Sequence, residues 1–179
     1  MAKDKDSLIL ETSLQGYFFD QLQEINNNCS SPLPKETIHY SSKVMGQFGD
    51  SENFFENAEG KIKEKILGIK LMEVAHYNEA QAKRVLKDVG DTALFICGYF
   101  AESFNRKILD IKYYQNIGKI AYNRLDSIIP SVYERNSFYK HLSSNFDNLT
   151  VMIKVVSVKS QKNAEMGSYL IFPTDKKEN

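Results

Sequence analysis

The chain is expected to fold as a single all-α domain, a bundle of about six to seven helices followed by a short extended C-terminal segment. Three observations carry that expectation. Apolar residues recur at three- and four-residue steps through most of the chain, the period of one helix face. The longest stripe, Phe138, Leu142, Phe146, Leu149, Ile153 and Val156, keeps that period over its whole length. At 179 residues the chain is long enough for one sizeable core, and 42% of it is hydrophobic. The helical domain is assigned to residues 1–160 and the C-terminal segment to 161–179.

Leu10, Leu14, Phe18, Leu22 and Ile25 place one apolar stripe on a first helix. Asn26-Asn27-Asn28 and then Ser30-Ser31-Pro32 stop it, because short polar side chains compete for backbone hydrogen bonds and proline cannot continue a helix. A second helix starts near Pro34, with Glu36 in its opening turn and Tyr40, Val44 and Phe48 on one face. Residues 46–60 are polar and turn-prone, so they are read as a loop anchored by Phe54 and Phe55. A third helix runs through Ile62, Ile66 and Ile69 to about His76.

Asn78 caps a fourth helix that ends at Gly90, with Val85, Leu86 and Val89 inward. Glycine accepts the left-handed conformation that ends a helix, and aspartate accepts hydrogen bonds from the first amides of the next. Gly90-Asp91 is therefore read as a two-residue junction to a fifth helix, Thr92 to about Ile108. Gly98 in its middle marks a close approach or a bend, since an interior glycine costs about 1 kcal/mol relative to alanine. Asp110 caps a sixth helix carrying Ile111, Tyr114, Gly118, Ala121, Tyr122 and Leu125, and Pro130 ends it. The seventh helix spans Phe138 to roughly Lys159, and Tyr169 to Phe172 are expected to dock on the bundle in extended form.

Composition excludes several functions. Lys+Arg and Asp+Glu are equal at 23 each, without the basic excess that neutralises phosphates, so no nucleic-acid partner is expected. The N-terminal residues hold only a three-residue apolar run, whereas a signal peptide needs about 7–15 and a membrane span about 20. Two isolated cysteines, Cys29 and Cys97, are too few for a disulfide framework, which points to a reducing cytoplasm. No Gly-x-Ser-x-Gly and no phosphate-cradling glycine motif occurs. Arg106, Lys107 and Arg124 beside Tyr113 and Tyr114 read as a solvated face.

Gly90-Asp91-x-x-Leu94-Phe95-x-x-Gly98-x-Phe100-x-Glu102, followed by Tyr113-Tyr114-x-x-x-Gly118-x-x-Ala121-Tyr122-x-x-Leu125, resembles an uncharacterised family of bacterial all-helical proteins. The resemblance extends from Glu36-Thr37 to the end of the seventh helix. It implies a bacterial, cytoplasmic helical protein and supplies no catalytic residue. Ala101 stands where the family pattern has a proline after the aromatic pair.

Two sets of residues carry candidate chemistry. Glu36-x-x-His39 and Glu73-x-x-His76 repeat the spacing with which ferritin-like di-iron proteins hold metal, because residues three apart on a helix point the same way. Glu73 and His76 continue the stripe of Ile62, Ile66 and Ile69 and are expected to face inward. Glu11 or Glu24 and Glu102 are the outer ligand candidates, although the order Glu, ExxH, ExxH, Glu departs from the usual alternation. The second set is Tyr113, Tyr114, Gly118 and Tyr122, where small residues and tyrosines form a notch. That notch serves either helix packing or, with the rings exposed, an interaction surface.

The leading expectation is a non-enzymatic protein-interaction or regulatory module without a cofactor, whose partner is a protein, self included as a homodimer. The alternatives are a metal-binding, ferritin-like oxidoreductase using di-iron or another divalent metal, and a small-molecule sensor with an apolar aromatic pocket.

Overall fold

A computed structural model of the chain describes residues 13–49, 60–100, 111–129 and 137–165. Those residues form seven α-helices: α1 (Leu14–Asn27), α2 (Lys35–Gly49), α3 (Gly60–Glu73), α4 (Glu79–Tyr99), α5 (Ile111–Ile128), α6 (Phe138–Ser144) and α7 (Phe146–Glu165). A 3₁₀ turn, Val74–His76, follows α3, and no strand occurs among the described residues. The all-α class read from the apolar periodicity is the class observed.

The helix starts follow side-chain chemistry. Ser13 caps α1 by accepting the Gly16 amide at 3.2 Å, and Asn78 caps α4 by accepting the Gln81 amide at 2.9 Å. Asn26, the first of the three asparagines, is buried and clamps the connection to α2 with two bonds to Leu33. Its amide donates to the Leu33 carbonyl at 2.9 Å, and its carbonyl accepts the Leu33 amide at 2.8 Å. That clamp turns the chain back, so α1 and α2 run antiparallel, with Leu14 at the level of Gly49 and Gln15 at that of Gly46.

Helix α4 is the axis of the molecule. It forms its most extensive contact with α5, a second with α7, and smaller ones with α2 and α3. The pairing of α4 and α5 is antiparallel, as Gly90 meets Tyr122, Ala93 meets Gly118, and Cys97 reaches the Ile111 carbonyl. Glycine permits this approach at two levels. A Cβ on Gly90 would stand 2.5 Å from the Tyr122 ring, and one on Gly118 would stand 2.3 Å from the Phe146 ring. Around α4 the core is closed by Phe95, Tyr114, Tyr122, Leu142, Phe146, Leu149 and Ile153, each almost fully buried. Such a side chain contributes roughly 1.5–3 kcal/mol when it leaves water.

Four expectations are corrected. Gly90-Asp91 is not a junction, because α4 passes through it unbroken from Glu79 to Tyr99. Gly90 serves the Tyr122 ring, and the Asp91 carboxylate is engaged by side chains of other helices instead of by the amides of a new one. The long stripe beginning at Phe138 belongs to two helices. Asn145 ends α6 with its amide and side chain both bonded to the His141 carbonyl, while Leu142 and Phe146 stay buried on either side of the break. On α3, among the side chains described, Leu67 and Leu71 are buried, whereas Ile69, expected inward, is 42% exposed. Helix α7 continues to Glu165, past the expected end at Lys159. Phe54, Phe55, Asp110, Pro130 and the run Tyr169 to Phe172 lie outside the described residues.

Candidate functional site

The most concentrated polar chemistry in the described residues surrounds the carboxylate of Asp91, in the middle of α4 and 5% exposed. A carboxylate taken from water costs several kcal/mol unless its lone pairs are met. Three donors from three helices meet them. The Tyr40 hydroxyl of α2 donates to Oδ1 at 2.6 Å, and the Tyr122 hydroxyl of α5 donates to the same oxygen at 2.8 Å. Lys87, one turn earlier on α4, places Nζ 2.5 Å from Oδ2. Bonds to an ionised acceptor are about twice as strong as neutral ones, so the three together fix the relative positions of α2, α4 and α5.

Aromatic rings enclose these donors. Tyr40 meets Phe138 edge-on at 5.2 Å and Tyr139 at 5.9 Å, and Tyr122 stacks on Tyr139 at 5.9 Å. Phe146 closes the inner side 6.0 Å from Tyr122, and the Lys87 ammonium lies 5.2 Å from the Tyr40 ring centroid. Burial, reinforced by the Asp91 charge, raises the phenols of Tyr40 and Tyr122 far above the usual tyrosine range. Burial also raises Tyr139, with Lys87 pulling in the opposite direction. The phenols therefore stay protonated and act as hydrogen-bond donors, while the carboxylate they bind is held by donors from three helices.

Beside this cluster a groove of about 390 Å³ opens between α2 and α4, lined by Gln47, Phe48, Arg84, Lys87, Asp88 and Asp91. The four α4 residues recur at helical spacing and share one face. Asp88 is bonded to Lys70 of α3 at 2.8 Å. Among the described residues Arg84 has no ion-pair partner.

The notch residues lie elsewhere than at a surface. Tyr114 is 1% exposed, Tyr122 is wholly buried and Gly118 is buried, while Tyr113 is half-buried with its hydroxyl against Gly68 of α3. The close approach foreseen at Gly118 is made within the chain, by Phe146 of α7 and Ala93 of α4. The two E-x-x-H pairs are not brought together. Glu36 and His39 are exposed on α2, where His39 Nε2 lies 3.5 Å from the Gln15 amide and its ring meets Phe19. Glu73 and His76 are exposed beyond the buried side of α3, and Glu73 accepts the Tyr77 hydroxyl at 3.1 Å. Among the described residues no group of three or more His, Cys, Asp or Glu side chains converges to hold a metal. Glu24 is bonded to Lys159, and Glu11 and Glu102 lie outside the described residues.

Asp91 and Tyr40 were not recognised as partners from sequence. One signal pointed there: Ala82, Leu86, Val89, Ala93 and Ile96 keep steps of three and four straight across Gly90-Asp91, so the stripe does not pause at the supposed junction. Among the described residues no helix is long and apolar enough to cross a membrane. Comparison with protein-family models, with characterised proteins and with solved structures finds no match to this chain.

Proposed function

We propose that the chain is a non-enzymatic protein-interaction module that associates with a second copy of itself through the outward face of α7. One observation carries the reading. Val151 is 61% and Val155 46% exposed, side by side one turn apart on a helix whose opposite face is buried at Leu149, Ile153, Val156 and Ser160. Exposed Asp147 and Lys159 bracket them on the same face, held by Lys119 at 2.6 Å and by Glu24 at 3.2 Å. An apolar centre within a charged rim is the anatomy of a protein interface.

The arrangement is also self-complementary. Asp147 and Lys159, and likewise Val151 and Val155, lie at equal sequence distances either side of Ile153. Two antiparallel copies of α7 related by a two-fold axis near Ile153 set Val151 against Val155 and the acidic end of each helix against the basic end of the other, as an isologous contact requires. The state of the reactive groups agrees with a binding role. The Asp91 oxygens are occupied by three internal donors, and the Cys97 thiol is buried and pushed far above the usual thiol range.

The test is sedimentation equilibrium of the wild-type chain and of Val151→Glu and Val155→Glu, both at exposed positions that leave the core intact. The wild type should show a concentration-dependent dimer, and each glutamate should shift it to monomer with an unchanged helical circular-dichroism spectrum. A wild type that remains monomeric up to about 0.5 mM would overturn the reading, because even a weak 1 mM dimer is populated there.

A further inference from the structure

We infer that the apolar run at residues 169–172 folds back on the outward face of α7 and competes there with the second copy. The chain thereby holds its own dimer in check, a regulation that rests on the reading of this face as the dimer surface.

Two apolar surfaces adjoin one another in the chain. One is the column Val151, Val155 and Val158, set at steps of four and three on α7, with the first two exposed and the third half-buried. The other is Tyr169-Leu170-Ile171-Phe172, within residues 166–173, a stretch that carries no charge. Tyrosine, isoleucine and phenylalanine favour extended backbone, and an uncovered run of this kind pairs readily with other chains. Among the described residues no strand offers a sheet edge to receive it, so a helix face is what covers it.

The length of chain fits the face of α7 itself. The helix ends at Glu165. Val158 lies roughly 10 Å back from that end along the axis and Val155 about 15 Å back, at about 1.5 Å per residue. Gly167 stands where the chain has to reverse, and glycine takes the left-handed conformation that commonly follows a helix end at no steric cost. From Ser168 onward an extended chain advances about 3.3 Å per residue. Leu170 then comes level with Val158 after roughly 10 Å, and Phe172 level with Val155 after about 16 Å. Leu170 and Phe172 are two positions apart, so they project from the same side of an extended chain. One side of the run therefore matches the valine column in spacing as well as in character.

Docked in this way, the run occupies valines that the second copy needs. A tether this short keeps the run at an effective concentration on the order of millimolar, so a weak contact is enough to populate the closed form. Both protomers must be open before they pair. A run docked about two thirds of the time therefore weakens the dimer about tenfold.

The test compares the ¹⁵N-labelled full-length chain with the double variant Leu170→Ser/Phe172→Ser, whose changes lie outside the described helices. At a dilution where sedimentation shows monomer, the variant should shift the amides of Val151, Val155 and Val158 and leave those of the buried core in place. At higher concentration it should dimerise about tenfold more tightly than the wild type. Unmoved valine amides would overturn the docking. Shifts confined to amides near Ile69, Met72 and Ile120, which are also exposed, would overturn it by placing the run on α3 and α5. Valine shifts with an unchanged dimer constant would overturn the competition alone. Wild type and variant both monomeric up to about 0.5 mM would overturn the dimer reading, and the competition with it, whatever the valine amides show.

Discussion

Tyr122 lays its ring edge against the bare Cα of Gly90 and donates its hydroxyl to the next residue, Asp91, at 2.8 Å. Glycine and aspartate thus act as one receptor for one tyrosine: the first makes room for the ring, and the second satisfies a hydroxyl that has no access to water. Removing the acceptor therefore costs more than removing the donor. Asp91→Ala strands the buried Tyr122 hydroxyl and the Tyr40 hydroxyl together and should destabilise the fold by about 3 kcal/mol. Tyr122→Phe leaves Asp91 with Tyr40 and Lys87 and should cost only about 1.5 kcal/mol. Urea unfolding of the two variants measures the order, and equal losses would show that Asp91 does not join the three helices.

Gly118 carries a second steric prediction. Replacing glycine by alanine within a helix normally gains about 1 kcal/mol. Here the new Cβ would stand 2.3 Å from the Phe146 ring and 3.0 Å from the Ala93 Cβ, in a core with no exposed side to yield. Gly118→Ala should therefore lose about 2 kcal/mol. Adding Phe146→Leu, which shortens the obstructing side chain, should remove most of the Gly118→Ala penalty when the pair is compared with Phe146→Leu alone. A double-mutant cycle by thermal unfolding reads that coupling directly, and strictly additive losses would disprove the contact.

Residues around these contacts show what local sequence can and cannot convey. The caps at Asn78, the breaker residues after α1 and the start of α2 near Pro34 are local physics, and they were legible as such. Gly90-Asp91 carries the same local signature as a helix stop followed by a cap. Its meaning here is decided by Tyr40, 51 positions earlier, and Tyr122, 31 positions later. Phe138 to Val156 reads as one stripe because Leu142, Phe146 and Leu149 keep the apolar period through the break at Asn145. Periodicity reports which face is apolar and is silent about a single residue that leaves the helix. On α3 apolar residues stand at 67, 69 and 71, and no local pattern says that Leu67 and Leu71 are buried while Ile69 is exposed; the packing partner decides it. The groove was illegible for a related reason, since it pairs residues of α2 and α4 that no local pattern connects.

Alkaline pH should weaken the fold through the same tyrosines. In the unfolded chain a phenol loses its proton near pH 10. Burial, with the Asp91 charge adding to it, raises Tyr40 and Tyr122 well above that value in the folded protein, and burial also raises Tyr99 and Tyr139. Above about pH 10 the unfolded state therefore binds fewer protons than the folded state, so the stability these groups contribute is complete below that pH and declines above it. Each fully retained proton contributes a slope of up to about 1.4 kcal/mol per pH unit. Urea midpoints should fall steeply above about pH 10, and Tyr122→Phe should flatten the fall. A flat profile would mean that these phenols ionise in place.

The two cysteines should separate cleanly by reactivity. Thiolate is the reactive form, and its abundance falls as the thiol pKa rises. Cys97 is 2% exposed in the seam of α4 and α5, its Sγ lies 3.8 Å from the Ile111 carbonyl oxygen, and burial pushes its thiol far upward. Cys29 is half-buried just past the end of α1, with its Sγ 3.4 Å from the Ile25 carbonyl oxygen. A disulfide-exchange reagent should therefore label Cys29 alone in the native protein. In Cys29→Ser, the remaining thiol should react more slowly by at least about 10³-fold, because its exposure requires the central helix pair to come apart. Its rate should then rise with urea in parallel with global unfolding. Labelling of Cys97 at a rate insensitive to urea would show instead that α5 leaves α4 locally at that end, which the Tyr122–Asp91 bond and the Gly118–Phe146 contact oppose from further along the same seam.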